Sequence, residues 1–146
     1  MKSLKEIYLA GGCFWGVERF MKNVYGVVST MCGYANGKTE NPTYEQVCYY
    51  ETDHAETVKV IYDTKKADLK FILTMYFKII DPTQVDQQGP DMGRQYRTGI
   101  YFTDSADEQI IQEELKKLKK SYPHELIVVE CKPLENFYTA EEYHQN

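Results

Sequence analysis

The sequence predicts an α+β fold: a two-layer sandwich with a mixed sheet, built on a split βαβ (ferredoxin-like) core with long loops. Apolar residues recur at spacings of three and four in several segments, which is the pattern of helices that bury one face. Short apolar or alternating runs lie between these segments, as expected of strands. Strands and helices therefore alternate along the chain, although periodicity alone does not set the strand order.

The N-terminal part is predicted to form a strand, a helix and a second strand. The apolar run 7–10 ends at the glycine pair 11–12, which indicates a strand followed by a tight turn. Gly26 closes a helix whose apolar face carries Phe14, Val17, Met21 and Val24. Residues 27–34 are predicted to form the second strand. Residues 35–53 are predicted to be mostly loop, because they contain an Asn-Gly and an Asn-Pro pair.

The middle of the chain repeats the alternation of strand and helix. Apolar residues alternate with polar ones in a third predicted strand that includes Val58, Val60 and Tyr62. Asp68 is expected to cap a helix over 69–80, and Pro82 ends it because proline disfavours helical backbone at the preceding residue. Residues 81–97 form a second long loop, and long loops in compact domains are often functional.

The C-terminal part is predicted to add two strands and two helices. Residues 99–103 and 126–131 are apolar runs of strand length. The segment Ser105-x-x-Glu108 has the spacing of a capping box, which predicts the start of a helix between those strands. The segment Thr139-x-x-Glu142 has the same spacing and predicts a short terminal helix.

The composition indicates one domain, residues 1–146. The 146 residues are enough to bury a core, and 42% of them are hydrophobic, which excludes a disordered chain. The net charge of −5 does not favour a nucleic-acid partner, which usually requires a basic face. No stretch reaches the roughly 18 apolar residues of a membrane helix, and the N-terminus has no apolar signal core. We therefore expect no membrane partner and a cytoplasmic location.

The four cysteines are not spaced for a structural metal site. None belongs to a Cys-x-x-Cys pair, the spacing that zinc sites commonly use, so no metal ligands are predicted. In a reducing compartment we expect free thiols. The cysteines are Cys13, Cys32, Cys48 and Cys131.

Cys13 lies between the end of a predicted strand and the start of a helix. The unpaired N–H groups of the first helical turn favour negative charge and are expected to lower the thiol pKa from about 8.5 towards neutrality. The glycines at 12 and 16 allow a substrate to approach the sulfur closely. Phe14 and Trp15 point to opposite sides of the helix start, so at most one of them is fully buried. The other forms an apolar wall that suits a methyl group or a thioether.

Three functional classes are compatible with a reactive thiol in this position. The first is a reductase, and the second is another cysteine-nucleophile enzyme of the Cys-x5-Arg phosphatase kind, since Arg19 follows Cys13 at that spacing. Glu18 and the two aromatic residues argue against a phosphate cradle, which needs backbone amides and positive charge. The third is a non-catalytic binder of methionine-containing peptides through Phe14 and Trp15.

The nucleophile segment belongs to a longer pattern. Residues 12–16 (Gly-Cys-Phe-Trp-Gly) are followed by 41–48 (Asn-Pro-Thr-Tyr-Glu-Gln-Val-Cys) and 54–56 (His-Ala-Glu). Further blocks are 81–83 (Asp-Pro-Thr), 88–89 (Gln-Gly), 91–97 (Asp-x-Gly-x-Gln-Tyr-Arg) and 143–145 (Tyr-His-Gln). From about Lys5 to Gln145, in order and at suitable intervals, this pattern resembles the A-type peptide methionine sulfoxide reductases.

The resemblance implies the reacting groups. Cys13 would be the nucleophile, and Glu56 would be the acid that protonates the sulfoxide oxygen. Tyr44 and Tyr96 would hydrogen-bond that oxygen. The chemistry agrees, because a sulfoxide oxygen is a poor leaving group until it is protonated, and a carboxyl group kept neutral near pH 7 can supply the proton.

The resemblance also implies how the substrate is held. Phe14 and Trp15 would contact the substrate methyl group, and Asp91 would help to position the substrate. The family reduces the S epimer of methionine sulfoxide, free or in proteins, without a bound metal or organic cofactor. The nucleophile would become a sulfenic acid that a second thiol must reduce.

The recycling step is where the chain departs from many relatives. Those relatives continue into a mobile tail that carries resolving cysteines, whereas this chain stops at Asn146. We therefore expect reduction mainly by an external thiol: glutathione with a glutaredoxin, thioredoxin, or dithiothreitol in vitro. Cys32 and Cys48 are possible internal resolving thiols, and Cys131 is expected in the core.

Overall fold

The computed structural model describes residues 3–144. The strands are β1 (Leu4–Gly11), β2 (Val27–Ala35), β3 (Ala55–Asp63), β4 (Gln87–Gln88), β5 (Asp91–Met92), β6 (Thr98–Phe102), β7 (Glu130–Pro133) and β8 (Phe137–Thr139). The α-helices are α1 (Phe14–Met21), α2 (Tyr44–Tyr49), α3 (Leu69–Phe77) and α4 (Ala106–Lys119). Short 3₁₀ helices cover Arg94–Tyr96 and Glu142–His144.

The main sheet is mixed and has the order β7-β6-β1-β3-β2-β8. The pair β6 and β7 is parallel, and the other neighbouring pairs of this sheet are antiparallel. Since β1 and β2 both run antiparallel to β3, they are parallel to each other with β3 between them. This is the split βαβ arrangement, with α1 as the connection, and the predicted fold class is confirmed.

The core lies between the sheet and its helices. Alternate residues of β1 show the two faces: Ile7 and Leu9 belong to the large cluster with residues of α1, α3 and α4, whereas Tyr8 and Ala10 face the opposite side. On that side Phe137 of β8 packs edge-on against Tyr8, with ring centroids 5.0 Å apart. The C-terminal segment therefore covers part of the second face.

Several local predictions are confirmed by hydrogen bonds. The Asp68 side chain accepts from the Phe71 amide and caps α3 as expected. The N-cap of α1 is Cys13, so the thiol lies where a strand gives way to a helix. Among residues 3–144, no helix combines the length and the apolar composition needed to cross a bilayer.

Other boundaries were predicted incorrectly. Residues 44–49 form a helix inside the predicted loop, because Thr43 and Gln46 make a reciprocal capping box. Ser105 makes no capping hydrogen bond from its side chain, and Asp104 instead accepts from the backbone amide of Ala106. The last predicted strand begins at Glu130 rather than at residue 126.

The C-terminal capping prediction was also wrong. Thr139 ends β8, an unpredicted strand, and its hydroxyl donates to the sulfur of Met31 at 3.4 Å. The strand pairs with the end of β2 over residues Gly33–Ala35. Directly after this pairing, the Ala140 amide donates to the carbonyl of Cys32 on β2 at 3.0 Å.

Candidate active site

Cys13 sits at a sharp change of backbone direction between β1 and α1. Gly12 has a positive φ of +84°, which a side chain would strain, and an added Cβ there would lie 2.8 Å from Cβ of Gln88. At Gly16 an added Cβ would meet nothing within 4 Å. The two glycines thus differ: Gly12 permits the turn beside the sulfur, whereas the surface at Gly16 is open.

The pKa of the Cys13 thiol is raised, not lowered as the sequence predicted. Burial is the largest cause, and the negative charges of Glu56 and Asp91 add to it. The backbone amides of Trp15 and Gly16 act in the expected direction and favour the thiolate. They are outweighed in the resting site, and protonation of Glu56 removes one of the opposing charges.

Glu56 is the second residue of β3 and is buried, with 1% of its surface exposed. Its Oε1 accepts a 3.1 Å hydrogen bond from the backbone amide of Phe14. Burial raises the pKa of Glu56 to about 7, the Phe14 amide opposes this shift, and the charge of Asp91 adds to it. Its Oε2 is buried and has no hydrogen-bond partner among the described residues. The site therefore holds a carboxyl group that is partly protonated near neutral pH and has one oxygen available.

Two tyrosine hydroxyls lie near this carboxyl group. Tyr44 begins α2, and Tyr96 ends the 3₁₀ helix 94–96; their hydroxyl groups are close enough for each to shift the pKa of the other. Burial raises the pKa of both hydroxyls, that of Tyr96 to about 12, and the charge of Glu56 contributes to both shifts. Both groups therefore remain protonated and able to donate a hydrogen bond at neutral pH.

The two aromatic residues after Cys13 differ in exposure, as predicted. Phe14 is 1% exposed and packs against Tyr34 with a centroid distance of 5.7 Å, whereas Trp15 is 53% exposed. Of these two aromatic residues, Trp15 therefore has the accessible apolar side chain. Asp91, in β5, is partly buried and close enough for its charge to raise the pKa values of Cys13, Glu56 and Tyr96.

The four cysteines are free thiols in this structure. Cys32 is fully buried on β2, its thiol donates to the carbonyl of Phe14 at 3.8 Å, and burial together with Glu18 raises its pKa. Cys48, on α2, is partly buried, and Tyr44 and Gln95 are close enough to lower the pKa of its thiol. Burial raises the pKa of Cys48 as well, as it does for Cys13.

Two contributors to the site were not predicted. Glu141 accepts from the Tyr34 hydroxyl through Oε1 and from the Tyr44 amide through Oε2, both at 2.9 Å. No local pattern separates this glutamate from its exposed neighbour Glu142. Its place next to the 143–145 block was the one signal available.

Arg97 supports the loop that carries Tyr96. The guanidinium group is buried, pairs with Glu130 at 3.0 Å and donates to the carbonyl oxygen of Arg94 at 2.9 Å. Arg97 lies in the 91–97 block, but the sequence did not indicate its partner, because β7 is far away along the chain. This ion pair connects the 3₁₀ helix to the sheet.

The family model described as peptide methionine sulfoxide reductase matches residues 5–146. The chain belongs to this family. A family member from Clostridium perfringens, named peptide methionine sulfoxide reductase MsrA, is 56% identical over 142 residues, which are 97% of this chain and 90% of the relative. The chain is accordingly an oxidoreductase that reduces methionine sulfoxide with a thiol reductant, and the phosphatase and peptide-binder alternatives are not favoured.

Solved structures agree with this assignment. The reduced form of Mxr1 from Saccharomyces cerevisiae superposes with a TM-score of 0.92 at 37% identity, covering 98% of this chain and 83% of Mxr1. A second structure of the yeast protein, in complex with Trx2, matches with a TM-score of 0.71 at 27% identity over 97% of this chain and 84% of that one.

Proposed function

We propose that Cys13 is the nucleophile and Glu56 the proton donor in the reduction of the S epimer of methionine sulfoxide, free or in proteins. The observation that carries this proposal is the environment of Glu56. A buried carboxyl group with a pKa of about 7 is fixed through Oε1 to the residue that follows Cys13, and its Oε2 remains unpartnered in the described chain. A general acid is most effective when its pKa is near the working pH.

The reaction transfers one oxygen atom and two electrons between two sulfur atoms. The sulfoxide oxygen takes the proton of Glu56, the Cys13 thiol gives its own proton to the carboxylate so formed, and the Cys13 sulfur attacks the substrate sulfur. Collapse of the adduct releases methionine and leaves the oxygen on Cys13 as a sulfenic acid. The substrate sulfur is reduced by the two electrons that the Cys13 sulfur loses.

The neighbouring side chains suit the remaining roles. The hydroxyls of Tyr44 and Tyr96 would donate to the sulfoxide oxygen, which carries partial negative charge until it is protonated. Trp15 would contact the methyl group through its exposed ring, with Phe14 forming the buried support of that wall. Asp91 would position the substrate and help to keep Glu56 protonated, since its charge raises the pKa of Glu56.

An external thiol would complete the cycle. Cys32 is fully buried on β2 and Cys48 is held on helix α2, which supports reduction by a thiol from solution. The complex of yeast Mxr1 with Trx2 favours a thioredoxin, and glutathione with a glutaredoxin is the other candidate. A cytoplasmic location suits this chemistry, because that compartment keeps thiols reduced.

The deciding experiment offers the separate S and R epimers of methionine sulfoxide, free and in a peptide, with dithiothreitol. We expect methionine from the S epimer alone and one dithiothreitol oxidised for each methionine formed. A peptide binder would retain the peptide without forming methionine, and a phosphatase would act on neither epimer. Equal turnover of both epimers would contradict the assigned stereochemistry.

A further inference from the structure

The side chain of Glu141 joins two parts of the candidate site that are far apart in sequence. One carboxylate oxygen accepts from the Tyr34 hydroxyl on β2, and the other accepts from the Tyr44 amide at the start of α2, each at 2.9 Å. Hydrogen bonds to an ionised carboxylate are stronger than those between neutral groups. Glu141 thus makes two hydrogen bonds, which we call its two arms, with elements that both border Glu56.

We infer that Glu141 is a positioning residue that places the Tyr44 hydroxyl at the sulfoxide oxygen; this rests on the function proposed above. The first arm acts on Tyr44 directly. Helix α2 has six residues, too few for a stable isolated helix, so contacts with the rest of the protein fix its position. The hydrogen bond from the Tyr44 amide fixes the residue whose hydroxyl lies near that of Tyr96.

The second arm connects Tyr44 to the proton donor. Tyr34 is fully buried and packs against Phe14, whose backbone amide donates to Glu56. Glu141 therefore sets the separation between the hydroxyl on α2 and the carboxyl group on β3. Both groups must meet the same substrate oxygen, and a misplacement of about 1 Å can reduce a rate by two orders of magnitude.

The backbone before Glu141 is itself well anchored. Strand β8 pairs with β2, and the amide of Ala140 donates to the carbonyl of Cys32 at 3.0 Å. Ala140 is buried. The carboxylate is thus presented from a fixed sheet edge, so removing it changes the position of Tyr44 rather than that of the C-terminal segment.

The test is a double-mutant cycle between Glu141→Ala and Tyr44→Phe, read as the single-turnover rate of methionine formation. If Glu141 acts through the Tyr44 hydroxyl, each single variant slows the reaction about 10- to 100-fold, and the double variant matches Tyr44→Phe within about twofold. Glu141→Gln should recover most of the rate, since an amide can accept from the Tyr44 amide and donate to the Tyr34 hydroxyl oxygen. Glu142→Ala is the matched control, because that neighbouring glutamate is exposed.

A second readout separates positioning from general damage to the site. Alkylation of Cys13 by iodoacetamide should proceed at the parent rate in Glu141→Ala, because only the hydroxyl on α2 is displaced. If Glu141→Ala does not fold, Tyr34→Phe removes the other arm and enters the same cycle. The inference would be overturned if the rate reductions of the two single variants multiply in the double variant. It would also be overturned if either single variant keeps the parent rate, or if Cys13 in Glu141→Ala is alkylated at a different rate from the parent. Failure of the parent enzyme to form methionine would instead contradict the proposed function.

Discussion

The backbone amide of Phe14 donates a 3.1 Å hydrogen bond to Oε1 of Glu56. Phe14 directly follows Cys13, so the segment that carries the thiol also orients the carboxyl group. One carboxyl oxygen is used for this contact, and Oε2 has no partner within residues 3–144. The Cys13 thiol and the Glu56 carboxyl group are therefore placed relative to each other by the main chain.

Replacement of Cys13 by serine should abolish turnover and leave the fold intact. Serine is close to cysteine in size, but its hydroxyl is a much weaker nucleophile at neutral pH. The measurement is steady-state methionine formation from the S epimer with dithiothreitol. Cys131→Ser, which alters a partly buried thiol on β7, is the control and should keep the parent rate. Retention of more than about a tenth of the activity by Cys13→Ser would contradict the assignment.

Replacement of Glu56 by glutamine should slow the chemical step by about 10²- to 10⁴-fold, the usual range for loss of a general acid. Glutamine keeps the shape and can still accept from the Phe14 amide, but it cannot transfer a proton. Single-turnover formation of methionine measures this step without recycling. Glu45→Gln, at an exposed position of α2, should have no effect. An unchanged rate in Glu56→Gln would assign the acid role to Tyr44, Tyr96 or solvent.

The same substitution should also change how stability depends on pH. The pKa of Glu56 rises from its ordinary value of 4.5 to about 7 on folding, because burial disfavours the charged form. The folded state binds this proton more tightly, so the stabilising contribution is complete below pH 4.5 and is lost as the pH rises through 7. A shift of one pKa unit corresponds to about 1.36 kcal/mol, so the loss of stability amounts to about 3 kcal/mol.

Urea unfolding of the parent and of Glu56→Gln at pH 4 and pH 8 measures this effect. The free energy of unfolding of Glu56→Gln, taken relative to that of the parent, should rise by up to about 3 kcal/mol from pH 4 to pH 8. Glu45→Gln should show no such shift, since its carboxyl group is exposed. A difference between parent and Glu56→Gln that stays constant with pH would show that Glu56 is already charged in the folded resting state.

The oxidised enzyme should retain a sulfenic acid when no reductant is present. One equivalent of the S epimer should add one oxygen atom to the intact mass and remove one titratable thiol for each methionine formed. A disulfide would instead lose two hydrogen atoms and two thiols. Cys32→Ser and Cys48→Ser should give the same oxidised product as the parent. A mapped peptide that joins Cys13 to Cys32 or to Cys48 would overturn reduction by an external thiol.

Local patterns predicted the elements that bury a regular apolar face. The capping aspartate of α3 and the strand–helix corner at Cys13 could both be read from neighbouring residues. The bounds of β7 and the presence of β8 could not, because their pairing with β6 and β2 is non-local. Leu126 begins an apolar run but is 79% exposed, and the pairing with β6 starts only at Glu130.

The same distinction between local and non-local effects applies to the predictions about the site. The amides that favour the Cys13 thiolate are visible from the adjacent helix start, but the charges that oppose them belong to Glu56 and Asp91, distant in sequence. The sequence predicted that at most one of Phe14 and Trp15 is buried, yet only the packing against Tyr34 shows which. Effects that come from burial and from charges distant in sequence could be identified only in the folded structure.

Strands β7 and β8, which close the two edges of the main sheet, both come from residues 130–139. During synthesis from the N-terminus, β6 and β2 are the open edges until this segment emerges from the ribosome. Open strand edges invite pairing with other chains. Both sheet edges therefore stay exposed until residues 130–139 have been made, and Glu141 can join Tyr34 to Tyr44 only after that segment has emerged.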